Sequence, residues 1–425
     1  MTPHNPPAAE GCGCGAPEFE VTLIGIDEAL ARIAATVAAV PGTELAALGQ
    51  AVGRVLDEPV RALSMTPPFD NSAMDGYALD TRSLTGDGPW RLPVTARIPA
   101  GQVAAGPLTG LAAAQVFTGA PLPRGADAVV MQEEVVRDGA EITLSRRPEA
   151  GEHVRLAGSD LAEGAVVLEP GCRLGPRHIA ACAAAGVSRV RIRRALRVAL
   201  LVTGDEVRGA GTGRAATEIW DINTPMLSGA LATPAVRLVA AEHGADSLPG
   251  LTDQLSRLAA SADLLVTTGG ISVGEEDHVK PALEGLGARL VFSGVAIKPG
   301  KPVSFGMIGT TPWLGLPGNP LSAFVTWQLF GTALVGRLMG EGMTARRRHV
   351  VIADPIGRKP GRCELRPATL VRFDDHGREV VTFAAATHSG RVGGLPAADG
   401  LIFLPAEADV LPAGALVEFQ PLHDC

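Results

Sequence analysis

Apolar positions change their period along the chain. Leu30, Ile33 and Val37 recur at helical spacing over residues 27–40 and Pro41-Gly42 closes the run, which predicts a helix. From residue 64 to about 150 the pattern becomes short alternating runs rich in Gly, Pro and Val, among them 91–98 and 128–134, which predicts a small β domain. Residues 151–194 carry Asp160, the turn Glu169-Pro170-Gly171 and a helical stretch near 178–185; the basic run 189–197 reads as solvated surface at a strand boundary. From Leu196 strands and helices alternate, the signature of a parallel sheet with crossover helices. Residues 198–207 read as a strand entering an acidic loop. Residues 218–231 read as a loop and helix with Thr224 as N-cap and Pro225 at the first helical position. A helix over 249–261 leads into a strand over 264–266, and 289–297 reads as one further strand. Residues 311–335 give a strand, a Gly-Asn-Pro turn and a helix from Pro320 with Leu321, Phe324, Val325 and Leu329 on one face. Past Arg346, Arg347 and Arg348 the helical pattern stops. Short β runs at 349–353, 369–373, 379–384, 401–404 and 415–419 predict a separate small barrel or sandwich.

The expected fold class is therefore α/β plus β in several domains. A Cys- and Gly-rich leader covers 1–20, a linking domain 21–63 and 151–194, and an inserted β domain 64–150. An α/β domain with a mostly parallel sheet covers 195–345, and a C-terminal β barrel 346–425.

Candidate chemistry concentrates in DLLVTTGGISVGEEDHVK (263–280). A short apolar strand runs into Thr267, Thr268, Gly269 and Gly270, a hydroxyl-bearing turn with little Cβ bulk that a phosphate can approach. Glu275, Glu276 and Asp277 follow at the mouth of the same loop. Ligands of open α/β sheets bind at the carboxyl ends of strands, so this stretch points to a phosphorylated ligand handled with a divalent cation. In the inserted domain Asp70 and Asp75 flank a turn, Thr118 and Gly119 stand at a strand end, and Glu133 and Glu134 add carboxylates. The N-terminus of the helix from Pro320 offers an anion seat.

Composition narrows this further. The 425 residues are 46% hydrophobic and 19% charged, which is globular and enough for several domains. A net charge of −8 excludes bulk nucleic-acid binding but not a small anion held by a few local cations. No apolar stretch reaches the ~18 residues of a membrane span. The N-terminal stretch lacks the pattern of a signal peptide, so a cytoplasmic location is expected. The six cysteines (Cys12, Cys14, Cys172, Cys182, Cys363, Cys425) form no C-x-x-C, and two ligands in the leader, Cys12 and Cys14, do not close a tetrahedral site.

Three short motifs do not carry the chemistry they resemble. Residues 270–274 match G-x-S-x-G, but 267–269 separate the match from its strand and the carboxylates at 275–277 oppose an oxyanion there. GVAIKPGK (294–301) is one residue too long for a P-loop, and Pro302 stands where the magnesium-binding hydroxyl belongs. No G-x-G-x-x-G follows the first strand of the α/β region.

Taken together, PPFDNSAMDGYAL (67–79), FTGAPLPRGADAVVMQEE (117–134), TGDEV (203–207), DINTPML (221–227), TTGGISVGEEDHVK (267–280), AIKPGKPVSFG (296–306) and GLPGNPLSAF (315–324) resemble the molybdopterin molybdenumtransferase family. They run in that family's order from about residue 23 to the C-terminus. The resemblance implies a molybdopterin-binding α/β domain and a homodimer with an active cleft shared between subunits. It implies cleavage of adenylylated molybdopterin with Mg2+, insertion of molybdate and release of AMP. A molybdopterin adenylyltransferase upstream and molybdoenzyme chaperones downstream are the implied partners, with no nucleic acid and no membrane.

Under the resemblance Glu206, Asp221 and Asp277 hold magnesium and orient the attacking oxygen, joined as catalytic residues by Asp70 and Asp75. Thr203, Gly204, Asp205, Thr267, Thr268, Gly269, Gly270 and Ser272 cradle the adenylylated pterin, and Thr118 completes the cleft from the inserted domain across the dimer. Lys298, Lys301 and Ser322, with Arg366 and Ser389 from the barrel, take molybdate; Pro302, Pro317, Gly318 and Asn319 complete the binding set. The chain departs from the family at Met65, where some members carry aspartate, and at Gly294, where some carry a basic residue. A rival from another class is a binding or scaffold protein that keeps the fold as a cofactor carrier, as the related domain of gephyrin also clusters receptors.

Overall fold

The computed structural model describes residues 23–271, 278–342, 347–384 and 388–422. The chain divides into two compact units, one built from 1–40 and 195–425, the other from 41–194. No helix among the described residues is long and apolar enough to cross a membrane.

The larger unit is organised by a six-stranded sheet in the order Val236–His243, Leu196–Val202, Leu264–Thr268, Thr311–Leu316, Ser304–Ile308, Arg289–Ser293. The first four strands are parallel, and Ser304–Ile308 runs antiparallel to both of its neighbours. Leu196–Val202 and Leu264–Thr268 are apolar almost throughout and buried, as strands covered on both faces must be. Leu251, Leu255 and Leu258 of the helix Leu248–Ser261 pack against one face together with Ile271, Val279 and Trp313. Ser247 caps that helix through its hydroxyl, which accepts from the Gly250 N–H at 3.3 Å. The chain leaves Leu196–Val202 for one neighbour and returns on the opposite side with Leu264–Thr268. The ends of these two strands therefore form the crevice where open sheets bind ligands.

Several elements depart from the sequence expectations. The first helix is Ile26–Thr36, shorter than 27–40, because Val37 already turns extended ahead of Pro41. The strand expected over 264–266 runs through Thr267 and Thr268, so the turn begins at Gly269. The helix expected to be capped by Thr224 is Asn223–Leu231, and the cap is the Asp221 side chain, whose Oδ1 accepts from the Thr224 N–H at 2.9 Å. The single strand expected over 289–297 is two: Arg289–Ser293 stays in the α/β sheet, while Ile297–Lys298 leaves it and pairs in parallel with Cys363–Phe373. The last long helix begins at Pro320 as expected and passes through a π segment, Trp327–Gly331, before it ends at Leu338.

The C-terminal strands close into a five-stranded barrel, in the order Cys363–Phe373, Glu379–Phe383, Arg348–Ile352, Leu416–Pro421, Gly400–Leu404 and back to the first. Val350, Ile352, Ile402, Val417 and Phe419 fill it. Cys363–Phe373 begins six residues before the expected 369–373. The two charged side chains near its start, Glu364 and Arg366, are buried against each other.

In the smaller unit, a six-stranded sheet runs Ala128–Met131, Gly76–Leu79, Ala113–Val116, Trp90–Ile98, Glu141–Leu144, Val135–Asp138. Thr43–Ala47 pairs with Arg189–Arg193, and Val60–Arg61 with Val166–Leu168, over a core of Leu56, Leu174, Cys182 and Ile192.

Candidate functional site

At the crevice the two strand ends are laced together. Thr203 follows Leu196–Val202 and donates its N–H to the Thr268 carbonyl at 3.0 Å. Gly269, at φ +87°, lies so close that a Cβ would stand 2.6 Å from the Thr203 Oγ1 and 2.8 Å from its carbonyl oxygen. Glycine is required there for the loops to touch. The expectation that Thr267 and Thr268 present hydroxyls to a ligand is not what their surroundings favour, since both are fully buried. The Thr267 hydroxyl accepts from Trp313 Nε1 at 3.0 Å. The Thr268 hydroxyl donates to the Pro317 carbonyl at 3.0 Å and accepts from Asn223 Nδ2 at 2.8 Å.

Asn223, which the sequence reading did not single out, is the clasp of this edge. It is 6% exposed, and its Nδ2 also donates to the Gly318 carbonyl at 2.7 Å. It thus ties the start of its own helix to the ends of two strands. Two residues before it stands Asp221, whose N–H donates to the Arg208 carbonyl at 2.7 Å. A short parallel ribbon, Val207–Arg208 with Ile219–Trp220, carries Glu206 at its start and Asp221 at its end. Glu206 is exposed and folds back over Gly204, while Asp205 is exposed beside it. Ser272, Glu275, Glu276 and Asp277 lie outside the described residues. Among the described residues no three acidic, His or Cys side chains gather into a metal-sized cluster.

The cationic half is assembled by the crossing strand Ile297–Lys298, which sets Lys298 in register with Glu364 of the barrel. Lys298 Nζ lies 3.5 Å from Glu364 Oε2, and Arg366 pairs with Glu364 Oε1 at 2.7 Å. The loop after Lys298 is pressed on the helix from Pro320: a Cβ on Gly300 would stand 2.5 Å from Thr326 Cγ2. Ser322 is buried in the first turn of that helix, and the neighbouring Leu321 N–H donates to the Ser389 carbonyl at 2.8 Å. Lys298, Ser322, Ser389 and Arg366 are therefore joined by direct contacts of their own segments. Lys301 is exposed, and the Pro302 carbonyl accepts from Ser304. The turn formed by Pro317, Gly318 and Asn319 belongs to both halves. Its carbonyls hold Thr268 and Asn223, Gly318 lies against Gly269, and Asn319 leads into the helix. Glu364 and Arg358 were missed in sequence because a Glu between Arg residues reads as a solvated run. Burial pushes the adjacent Cys363 thiol up to about 11, which keeps it protonated and unreactive.

Asp70, Asp75 and Thr118 belong to the smaller unit. Asp75 is exposed, and its Oδ1 accepts from the Thr118 N–H at 2.7 Å and hydroxyl at 2.8 Å. Those two bonds, the backbone one first, hold its carboxyl below the ordinary aspartate value. Asp70 accepts from the Ala157 N–H at 2.8 Å and lines an open hollow of about 570 Å3 with Phe69, the 121–126 turn and Ala157. Glu134 is engaged elsewhere, pairing with Arg146 at 2.8 Å.

Three family models match the chain in order. The MoeA N-terminal region (domain I and II) matches residues 24–186, the probable molybdopterin binding domain 199–337, and the MoeA C-terminal region (domain IV) 349–422. Molybdopterin molybdenumtransferase 2 of Mycobacterium tuberculosis is 33% identical over 384 residues, 88% of this chain and 94% of that protein. The molybdopterin molybdenumtransferase of Haemophilus influenzae is 33% identical over 77% of this chain and 80% of its own. A crystal structure of the molybdopterin biosynthesis protein MoeA from Pyrococcus horikoshii superposes with a TM-score of 0.81 at 27% identity. It covers 94% of this chain and all of that one, 100%.

Proposed function

The chain belongs to the molybdopterin molybdenumtransferase (MoeA) family, enzymes of molybdenum-cofactor biosynthesis, and on that premise we propose that it inserts molybdate into adenylylated molybdopterin with release of AMP. The observation that carries this reading is the shared turn at 317–319. It abuts the acidic, glycine-rich crevice on one side and on the other leads into the helix from Pro320, which bonds Ser389 and packs against Gly300 in the loop after Lys298. Cleaving a phosphoanhydride and placing a tetrahedral dianion on the product call for those two environments side by side.

In this reading the backbone of the Thr203–Gly204 and Gly269–Gly270 loops binds the phosphates, since the Thr267 and Thr268 hydroxyls are engaged inside the fold. Lys298, Lys301 and Arg366 supply the positive charge a dianion needs, with Ser322 and Ser389 as polar neighbours. Glu206 and Asp221 stand at opposite ends of the ribbon, so either would offer magnesium a single carboxylate, with substrate phosphates and water completing its shell. When bound, the ion would neutralise charge developing on the phosphoanhydride oxygens. Asp221 has a second task, since it also caps its helix and is thereby held in place.

The test is to mix the purified protein with adenylylated molybdopterin and magnesium and to measure AMP release with and without molybdate. Molybdate-dependent release with metal-loaded pterin is the expected result. Tight pterin binding without either product would replace the transferase with a carrier.

A further inference from the structure

The proposed oxyanion seat contains a charge of the wrong sign. Glu364 is 1% exposed. Its Oε1 accepts from Arg366 Nε at 2.9 Å and Nη2 at 2.7 Å, and its Oε2 lies 3.5 Å from both Lys298 Nζ and Arg358 Nε. One buried carboxylate thus contacts three cations from three segments of chain. A carboxylate this near repels a bound dianion, so its place there calls for an offsetting function.

Resting on the molybdate reading above, we propose that Glu364 is the positioning residue of the oxyanion seat, orienting Arg366 and Lys298 toward a tetrahedral dianion. Arg366 is gripped on two edges, by Glu364 at Nε and Nη2 and by the Ala384 carbonyl at Nη1, 2.8 Å away, so the plane of its guanidinium is set. Arg358 is anchored in the barrel by the Ala408 carbonyl at 2.8 Å, and its charge balances the carboxylate from behind. Lys298 differs: its side chain is 51% exposed, and the only cue to its orientation among these contacts is Glu364. Without the carboxylate, two buried guanidinium groups repel each other and the flexible lysine returns to solvent. The formal charges of these four groups, three cations and one anion, leave a surplus that matches a dianion.

The test compares Glu364→Gln, which keeps the shape and loses the charge, with the wild type and Glu364→Asp. Removing a group that orients a metal ligand costs about 10- to 100-fold in affinity; by analogy, and with relief of repulsion offsetting part of the loss, the expected molybdate KM of E364Q is about tenfold higher. The KM for adenylylated molybdopterin should stay within about twofold and kcat at saturating molybdate should be retained, since uniform loss of one ligand's binding raises its KM alone. Direct calorimetric titration of the pterin-free protein with molybdate should show the same loss. A molybdate KM that is unchanged or lower, or a fall in kcat with both KM values unmoved, overturns the proposal, the latter being the mark of a purely structural residue. If E364Q does not fold, E364D decides it: a carboxylate one methylene shorter cannot serve Arg366 and Lys298 together, so its molybdate KM must rise. A wild type that neither binds molybdate nor responds to it overturns the underlying reading instead. A responsive wild type with an unmoved variant overturns Glu364 alone.

Discussion

The two halves of the crevice treat their polar groups in opposite ways. On the strand side Thr267 and Thr268, the hydroxyls that look most available in sequence, are fully buried and bonded to Trp313, Asn223 and the Pro317 carbonyl. On the barrel side Lys298 stays half exposed although it stands beside a buried network of Glu364, Arg358 and Arg366. A polar residue at a strand end can therefore be architecture or chemistry, and Thr268 and Lys298 differ in how fully the fold engages them. Thr268 has its hydroxyl engaged twice, while Lys298 makes one long contact.

The largest effect should come from breaking the buried network. Arg366→Ala leaves Glu364 buried with its closest partner gone, and removal of one member of a buried pair costs about 3–5 kcal/mol. Lys298→Ala, at the exposed edge of the same network, should cost no more than about 1 kcal/mol and raise the molybdate KM. Urea unfolding at neutral pH gives both numbers, and equal losses would erase the distinction between the buried and exposed members. Next comes Asp221→Asn. Asparagine caps a helix as well as aspartate does, so stability should move by only a few tenths of a kcal/mol. AMP release should fall about a hundredfold, about 2.7 kcal/mol in the barrier, if the carboxylate acts on the phosphoanhydride. Turnover near the wild-type rate would reduce Asp221 to its capping role. Thr268→Val should cost about 1–3 kcal/mol, because it leaves one Asn223 N–H without its partner and loses a bond to the Pro317 carbonyl. Both KM values should be unaffected, and a rise in the pterin KM would return that hydroxyl to the ligand.

The same contrast governs what could be read in advance. The alternation of strands and helices after Leu196 and the helix from Pro320 are local signals, and the matching elements formed close to where they were expected. Five of the seven family-like segments fall in the α/β domain, and each supplies one edge of the crevice as a short contiguous run. The network around Glu364 was illegible, because it depends on a two-residue strand, Ile297–Lys298, leaving one sheet for another. No propensity marks such a crossing, and a Glu, an Arg and a Pro within 363–368 all argued against a buried strand. Asn223 was overlooked for a related reason: its partners, Thr268 and Gly318, are brought to it only by sheet order.

The smallest effect tests the contrast in the smaller unit, where Glu134, a carboxylate noted in the sequence, turns out to be paired. Arg146 bridges Glu152 at 2.6 Å and Glu134 at 2.8 Å. The side-chain bonds from Arg146 draw Glu152 from the ordinary 4.5 down to about 2. A carboxyl whose folded pKa is depressed binds more protons unfolded than folded between those two values. Its stabilisation is therefore complete above about 4.5 and is lost as the pH falls toward about 2. Arg146→Ala should lower the urea midpoint of the wild-type transition at pH 7, and the gap between the two proteins should narrow steadily on acidification through that window. Because Arg146 is more than half exposed, added salt should shrink the gap at pH 7 as well. A gap that persists unchanged at pH 2 would show that Arg146 acts through packing and not through its ion pair with Glu152.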